Sequence, residues 1–301
     1  IPIYPMTEGL TPRWFRNLMR RALTEWAKRV GDPLPVTFRK ANHLLPIDRA
    51  LWGVHFPKKP EHLEAARRRL AFEEILYLQL GLLRQKRQWK AQPGQVIKPP
   101  PEYAKSLVEA LPYELTKAQR RSLNEMTEDM ASGVPMNRLL QGDVGSGKTV
   151  VAALLMVTTV HQGYQAAMMA PTEILAEQHY QSILALFDAF PEPHPTVRLL
   201  TGSVQGQERE EIYAGLSDGT IDLVVGTHAL IQEDVDFARL ALAVIDEQHR
   251  FGVEQRGALR QKGYNPHLLV MTATPIPRSL ELTVWGHLDV SVLDEMPPGR
   301  K

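Results

Sequence analysis

The sequence contains no cysteine among its 301 residues. That excludes disulfides and thiolate metal centres, and nothing here points to secretion. No apolar run approaches the roughly 20 residues needed to span a bilayer. Residues 1–10 lack the charged start and apolar core of a signal peptide. A soluble, cytoplasmic protein with no membrane partner is therefore expected. What is present is 44% hydrophobic and 23% charged. That suffices for a sizeable core and, at roughly 100–200 residues per domain, suggests about two domains. The chain opens on Ile1 and closes on Gly299-Arg300-Lys301, and it is expected to be an excised piece of a longer protein.

A near-neutral total hides an asymmetry. Residues 1–100 carry 19 Lys/Arg against 8 Asp/Glu, whereas residues 101–301 carry 16 against 26. A basic half beside an acidic half fits a nucleic-acid surface or two halves that attract each other; the plainer alternative is solvated helix faces.

The expected division is a basic helical arm over 1–100 and an α/β domain over 101–301. In the arm, Thr11-Pro12 starts a helix and Gly31-Asp32-Pro33 ends that segment. Phe15, Met19, Ala22 and Trp26 supply its apolar stripe. A second helical pattern runs from Pro60 to about Gln88 and includes Arg67-Arg68-Arg69. At 1.5 Å per residue such a helix is about 40 Å long, a strut or lever. Gln92-Pro93-Gly94 and Pro99-Pro100-Pro101 then read as an extended linker. From Leu115 onward, helical stretches alternate with short apolar runs at 137–141, 165–170, 197–201, 222–225, 242–245 and 268–272. That alternation predicts βαβ units and a mostly parallel sheet.

The strongest local signal is Gly142-Asp143-Val144-Gly145-Ser146-Gly147-Lys148-Thr149, which fits G-x-x-x-x-G-K-[ST]. A strand-like run precedes it and a helix-like run follows. Gly142, Gly145, Ser146 and Gly147 would close backbone N–H groups around phosphates, helped by the positive end of the helix. Lys148 would reach the β/γ-phosphates of ATP, and the Thr149 hydroxyl would hold Mg2+. The second signal is the apolar run Leu242–Ile245 ending in Asp246-Glu247-Gln248-His249. Ligands sit at the carboxyl ends of strands in open α/β sheets. There Asp246 would hold Mg2+ and Glu247 would act as the base on the attacking water. An Asp-Glu pair alone is often just a solvated loop start; its place about a hundred residues after a phosphate loop gives it weight.

These stretches resemble the ordered motifs of superfamily 2 helicases. Leu115-Thr116-Lys117-Ala118-Gln119 resembles the segment whose glutamine contacts adenine, with a helix-surface Gln as the alternative for Gln119. Ala170-Pro171-Thr172-Glu173, Thr201-Gly202-Ser203 and Gly226-Thr227-His228 resemble the strand-gripping motifs. The resemblance gives Thr172, Thr227 and His228 contacts to DNA phosphates, which position without reading sequence; helix capping is the alternative for each. Met271-Thr272-Ala273-Thr274-Pro275-Ile276-Pro277-Arg278 resembles the motif that couples the two sites. Gln248, His249, Thr272 and Thr274 would carry the γ-phosphate state to the DNA contacts. The implied fold is a RecA-like P-loop NTPase domain with a mostly parallel sheet, preceded by the helical arm.

Within that superfamily the chain resembles the RecG branched-DNA helicases. Arg250-Phe251-Gly252-Val253 and the Thr272–Arg278 stretch are shared with the transcription–repair coupling translocases. Gln248 and the arm segments at 3–10, 51–57 and 66–74 favour RecG. Ser279, where relatives are expected to carry Thr, is a minor departure. The resemblance implies a monomeric, ATP- and Mg2+-dependent motor acting on branched double-stranded DNA, nucleoid-associated in a bacterial cytoplasm. A wedge domain and a second RecA-like domain are expected outside the chain, so this piece alone would bind nucleotide and turn it over poorly. The rival expectations are a transcription–repair coupling translocase, an RNA helicase motor, and a nucleotide-gated switch with no turnover.

Overall fold

The computed structural model describes residues 2–5, 8–247, 259, 262–273 and 288–297. The chain divides into two compact units, Ile1–Leu82 and Leu83–Lys301. The sequence places the boundary near residue 100, in the Pro-rich stretch.

The first unit is helical. Its helices are α1 (Pro12–Trp26), α2 (Val36–Ala41), α3 (Ile47–His55) and the start of α4 (Pro60–Lys90). Thr11 caps α1 by accepting from the Trp14 N–H, and Pro12 sits at the first helical position. The Arg67-Arg68-Arg69 triplet does not act as one cationic patch. Arg67 and Arg68 are exposed, whereas Arg69 is 0% exposed. Its guanidinium pairs with Asp32 at 2.9 Å, pairs with Glu73, and donates to the Leu45 carbonyl. Asp32 in turn accepts from the Leu34 and Ile47 backbone and pairs with Arg39 at 3.0 Å. Consecutive helix residues point about 100° apart, so one of three adjacent arginines turns inward to staple the segments together.

The second unit is an α/β domain. Among the described residues its helices include the end of α4, α5 (Pro101–Glu109), α6 (Lys117–Ala131), α7 (Lys148–His161), α8 (Glu173–Phe187) and α9 (Gly206–Asp218). Its strands among the described residues are β1 (Asn137–Gly142), β2 (Gln165–Met169), β3 (Val197–Leu200), β4 (Leu223–Gly226), β5 (Leu240–Asp246), β6 (His267–Thr272) and β7 (Asp289–Leu293). They form one sheet in the order β3-β4-β2-β5-β6-β1-β7, parallel at every pairing. The six apolar runs read from the sequence are the first six strands, each shifted by at most two residues at either end.

Both faces of the sheet are covered, which is why its strands read as near-continuous apolar runs. Leu140, Met168, Val244 and Met271 face the core beneath α6, α7 and α8; Leu139, Met169, Ile245 and Val270 face the core beneath α9. Helix α7 is apolar nearly all round, with Val151 to Thr159 all buried. The Thr158 and Thr159 hydroxyls donate back to the Leu154 and Leu155 carbonyls, so neither is left unpaired.

The Pro-rich stretch after α4 is extended, and it is pinned along its length. Ile97 is fully buried and its N–H donates to the Met130 carbonyl. His267, buried on β6, accepts at Nδ1 from the Met136 N–H and donates from Nε2 to the Gln95 carbonyl. Burial lowers the pKa of His267, and these two bonds suit the neutral ring.

Candidate functional site

Because the strands are all parallel, their carboxyl ends share one edge, where ligands bind in open α/β sheets. β1 ends at Gly142 and the loop 143–147 leads into α7. Gly147 caps α7 at φ +88°, a conformation that carries little penalty only for glycine. A Cβ there would lie 2.2 Å from the Gln119 Nε2. A Cβ at Gly142 would lie 2.6 Å from the Ser146 Oγ and 2.9 Å from the Leu293 Cβ. The loop therefore closes tightly at both ends, with Gly145 also at positive φ. The Ser146 hydroxyl is buried without a protein partner.

Lys148 folds over this loop. Its ammonium donates to the Gly142 carbonyl at 2.6 Å and the Asp143 carbonyl at 3.1 Å. Burial lowers its pKa, opposed by the negative charges of Asp246, Glu247 and Asp143. Those carboxylates thus share the lysine's electrostatic neighbourhood. Thr149 follows in the first turn of α7, whose N–H groups and dipole favour an anion.

Asp246 ends β5, with only 6% of its surface exposed. Its Oδ2 accepts from the His179 Nε2–H at 2.7 Å. Glu247 adopts φ +50°, uncommon for a residue with a side chain. Two bonds hold it to β6 and the turn after it. Its N–H donates to the Met271 carbonyl at 3.0 Å, and its Oε1 accepts from the Ala273 N–H at 3.1 Å. Thr272 ends β6, 2% exposed.

Gln119 is not a helix-surface residue. It is 1% exposed and closes a capping box with Thr116 at the start of α6. Its Oε1 accepts from the Thr116 N–H at 2.8 Å, and its Nε2 donates to the Ser146 carbonyl at 2.7 Å. The glutamine thereby ties α6 to the phosphate loop, and each amide atom keeps one further hydrogen bond to offer. The segment after β7 also holds α6: Glu295 accepts from the Ala118 N–H, and Arg121 pairs with Asp294 at 3.1 Å.

The remaining candidates lie at the ends of β2, β3 and β4. Thr172 caps α8, its hydroxyl accepting from the Leu175 N–H at 3.3 Å. Thr227, at the end of β4, is 2% exposed and its hydroxyl has no protein partner. His228 is exposed beside it. The Thr201 and Ser203 hydroxyls bond each other at 2.7 Å, and Gly202 packs close to the Glu173 carboxylate. Gln248, His249, Arg250–Val253, Thr274–Ser279 and Arg300 lie outside the described residues.

The sheet order thus sorts the candidates. Those fitting a nucleotide sit on the contiguous strands β5-β6-β1, and those fitting a phosphodiester backbone on β3-β4-β2. The sequence did not single out His179, which joins the two sets. Its signal was spacing: it stands seven residues, about two helical turns, after the cap Thr172.

A glycine-rich phosphate loop at the carboxyl edge of a parallel sheet defines a P-loop nucleotide-binding domain, and residues 116–283 match the family model for the DEAD/DEAH box helicases. The chain belongs to the DEAD/DEAH box helicase family. Over its whole length it is 51% identical to the ATP-dependent DNA helicase RecG of Synechocystis sp., covering 36% of that relative. It is 48% identical to RecG of Bacillus subtilis, covering 44% of it. The whole chain also superposes on a structure of RecG bound to a three-way DNA junction, with TM-score 0.80, 44% identity and 40% of that chain covered. The fold is shared with the helicase MrfA bound to DNA and AMPPNP, at 15% identity and TM-score 0.51 over 68% of this chain and 31% of that one. The chain spans 36–44% of the length of these two curated relatives.

Proposed function

We propose that this chain is the nucleotide-binding motor half of an ATP-driven DNA helicase that remodels branched DNA, such as stalled forks and Holliday junctions, in recombination and repair. The observation that carries it is the placement of Lys148, Asp246 and Glu247 at one carboxyl edge of the sheet, where β1 leads through the glycine loop into α7 and where β5 ends. In this reading the loop from Gly142 to Thr149 cradles the phosphates of ATP and Lys148 moves from the loop carbonyls to the β/γ-phosphates. Thr149 and Asp246 hold Mg2+, which commonly binds through one or two protein oxygens plus phosphates and waters. Glu247 polarises the attacking water. Gln119 offers its spare amide capacity to adenine. Thr172, Thr227 and His228 hold DNA phosphates, and Gln248, His249, Thr272 and Thr274 link the two sites.

The whole protein acts as a monomeric motor on double-stranded DNA arms, in association with the bacterial nucleoid. No helix among the described residues is long and apolar enough to cross a membrane. A second motor domain contributes arginines that stabilise transition-state charge, worth roughly 10³–10⁵ in rate in analogous enzymes.

The test is ATP hydrolysis by the intact protein with and without forked DNA, beside Lys148→Ala. Fork-stimulated turnover that Lys148→Ala reduces by on the order of 10²-fold, the scale of losing one charge-stabilising donor, supports the reading. Turnover indifferent to DNA, or stimulated only by RNA, overturns the branched-DNA assignment.

A further inference from the structure

The contact of His179 with Asp246 joins a side chain of the β3-β4-β2 region to an acid of the nucleotide set. His179 lies on α8, the helix that follows β2, and β2 is the direct neighbour of β5 in the sheet. Its Nε2 stands 2.7 Å from the Asp246 Oδ2, with the two side chains 14% and 9% exposed. An ionised carboxylate can only accept, so the ring nitrogen facing it carries the proton. A short charge-assisted bond in a partly dry place fixes the carboxylate rotamer more firmly than solvent would.

We propose that His179 is a positioning residue for the magnesium-holding carboxylate of Asp246. The proposal rests on the reading of Asp246 given above. By occupying Oδ2, the imidazole fixes the carboxylate in one orientation and leaves the other oxygen, Oδ1, to the metal. Partners that hydrogen-bond a metal-ligating carboxylate are worth a large share of metal affinity even though they never touch the ion. A histidine suits the task because its ring is rigid and reaches across from a packed helix; a surface side chain could not hold the same angle.

The test is nucleotide binding by this chain, followed by the fluorescence of a labelled ATP analogue titrated in Mg2+ and again in a chelator. His179→Ala should weaken binding in Mg2+ by about 10–100-fold, the usual cost of losing such a partner, and leave metal-free binding unchanged. His179→Gln, whose amide N–H can still donate, should recover part of the loss, and it keeps the test alive should the alanine variant melt early. Asp246→Asn should reproduce the Mg2+-specific loss. Equal weakening in both conditions would mark His179 as merely structural and overturn the proposal, as would no loss in Mg2+. If Lys148→Ala leaves nucleotide binding intact, or if Asp246→Asn leaves the Mg2+ dependence intact, the underlying nucleotide-site reading fails first.

Discussion

The two ends of the sheet use the same local device for different purposes. On β1, β5 and β6, each strand delivers its last residue into a crowded place: Gly142 against Ser146 and Leu293, Asp246 against His179, and Thr272 buried at 2% exposure. On β2, β3 and β4, the strand ends deliver short polar residues, several of them already occupied by the protein, as when Thr172 caps α8 and Thr201 bonds Ser203. One side is built around charge, with a lysine and two acids sharing a field. The other is built around hydroxyls and backbone ends, which suits a sequence-independent grip on phosphates. A parallel sheet lets one edge do both because every strand ends on the same side.

Damage to the nucleotide side should cost binding, and damage to the other side should cost stability or DNA affinity. The largest effect is expected from Gly147→Ala. The new side chain meets a left-handed backbone that costs roughly 1–2 kcal/mol outside glycine, and it drives into the Gln119 amide 2.2 Å away. The Gln119–Ser146 bond should break and nucleotide affinity fall by about tenfold or more, a step of about 1.4 kcal/mol; a titration showing wild-type affinity would mean the loop is looser than its geometry. On the other side, Thr172→Ala removes the cap of α8 and should lower stability by about 1 kcal/mol, read as an earlier urea midpoint, with metal-free nucleotide binding untouched. Thr227→Val is expected to have the smallest effect on the fold. Its hydroxyl is buried without a partner, so removing it should be neutral or slightly stabilising, since an unmet buried polar group costs roughly 1–3 kcal/mol. A clearly earlier urea midpoint for Thr227→Val would show that the hydroxyl serves the fold.

Much of this comparison was legible in the sequence. Strands buried on both faces announce themselves as apolar runs, and the phosphate loop carries its own spacing. β7 was not read: among the described residues Asp289-Val290-Ser291-Val292-Leu293 pairs with β1 alone, and a short run broken by Ser has little apolar signature. The Pro-rich stretch was read as a linker because proline and glycine mark extended chain whether it is free or pinned; only the burial of Ile97 and the bonds to His267 and Met130 distinguish the two. Arg69 and its neighbours look alike in sequence, and only the rotation of α4 sends one of them inward. His179 was missed because its partner lies 67 residues away in the chain.

The division of the sheet edge is tested most directly by amide hydrogen exchange on the intact protein, with a non-hydrolysable ATP analogue or forked DNA added separately. The analogue should protect the amides from Gly142 to Val151 together with Asp246 and Glu247. The fork should protect those around Thr172, Thr201–Ser203 and Thr227–His228. Protection of the phosphate loop by DNA alone, with none at the ends of β2, β3 and β4, would contradict the account.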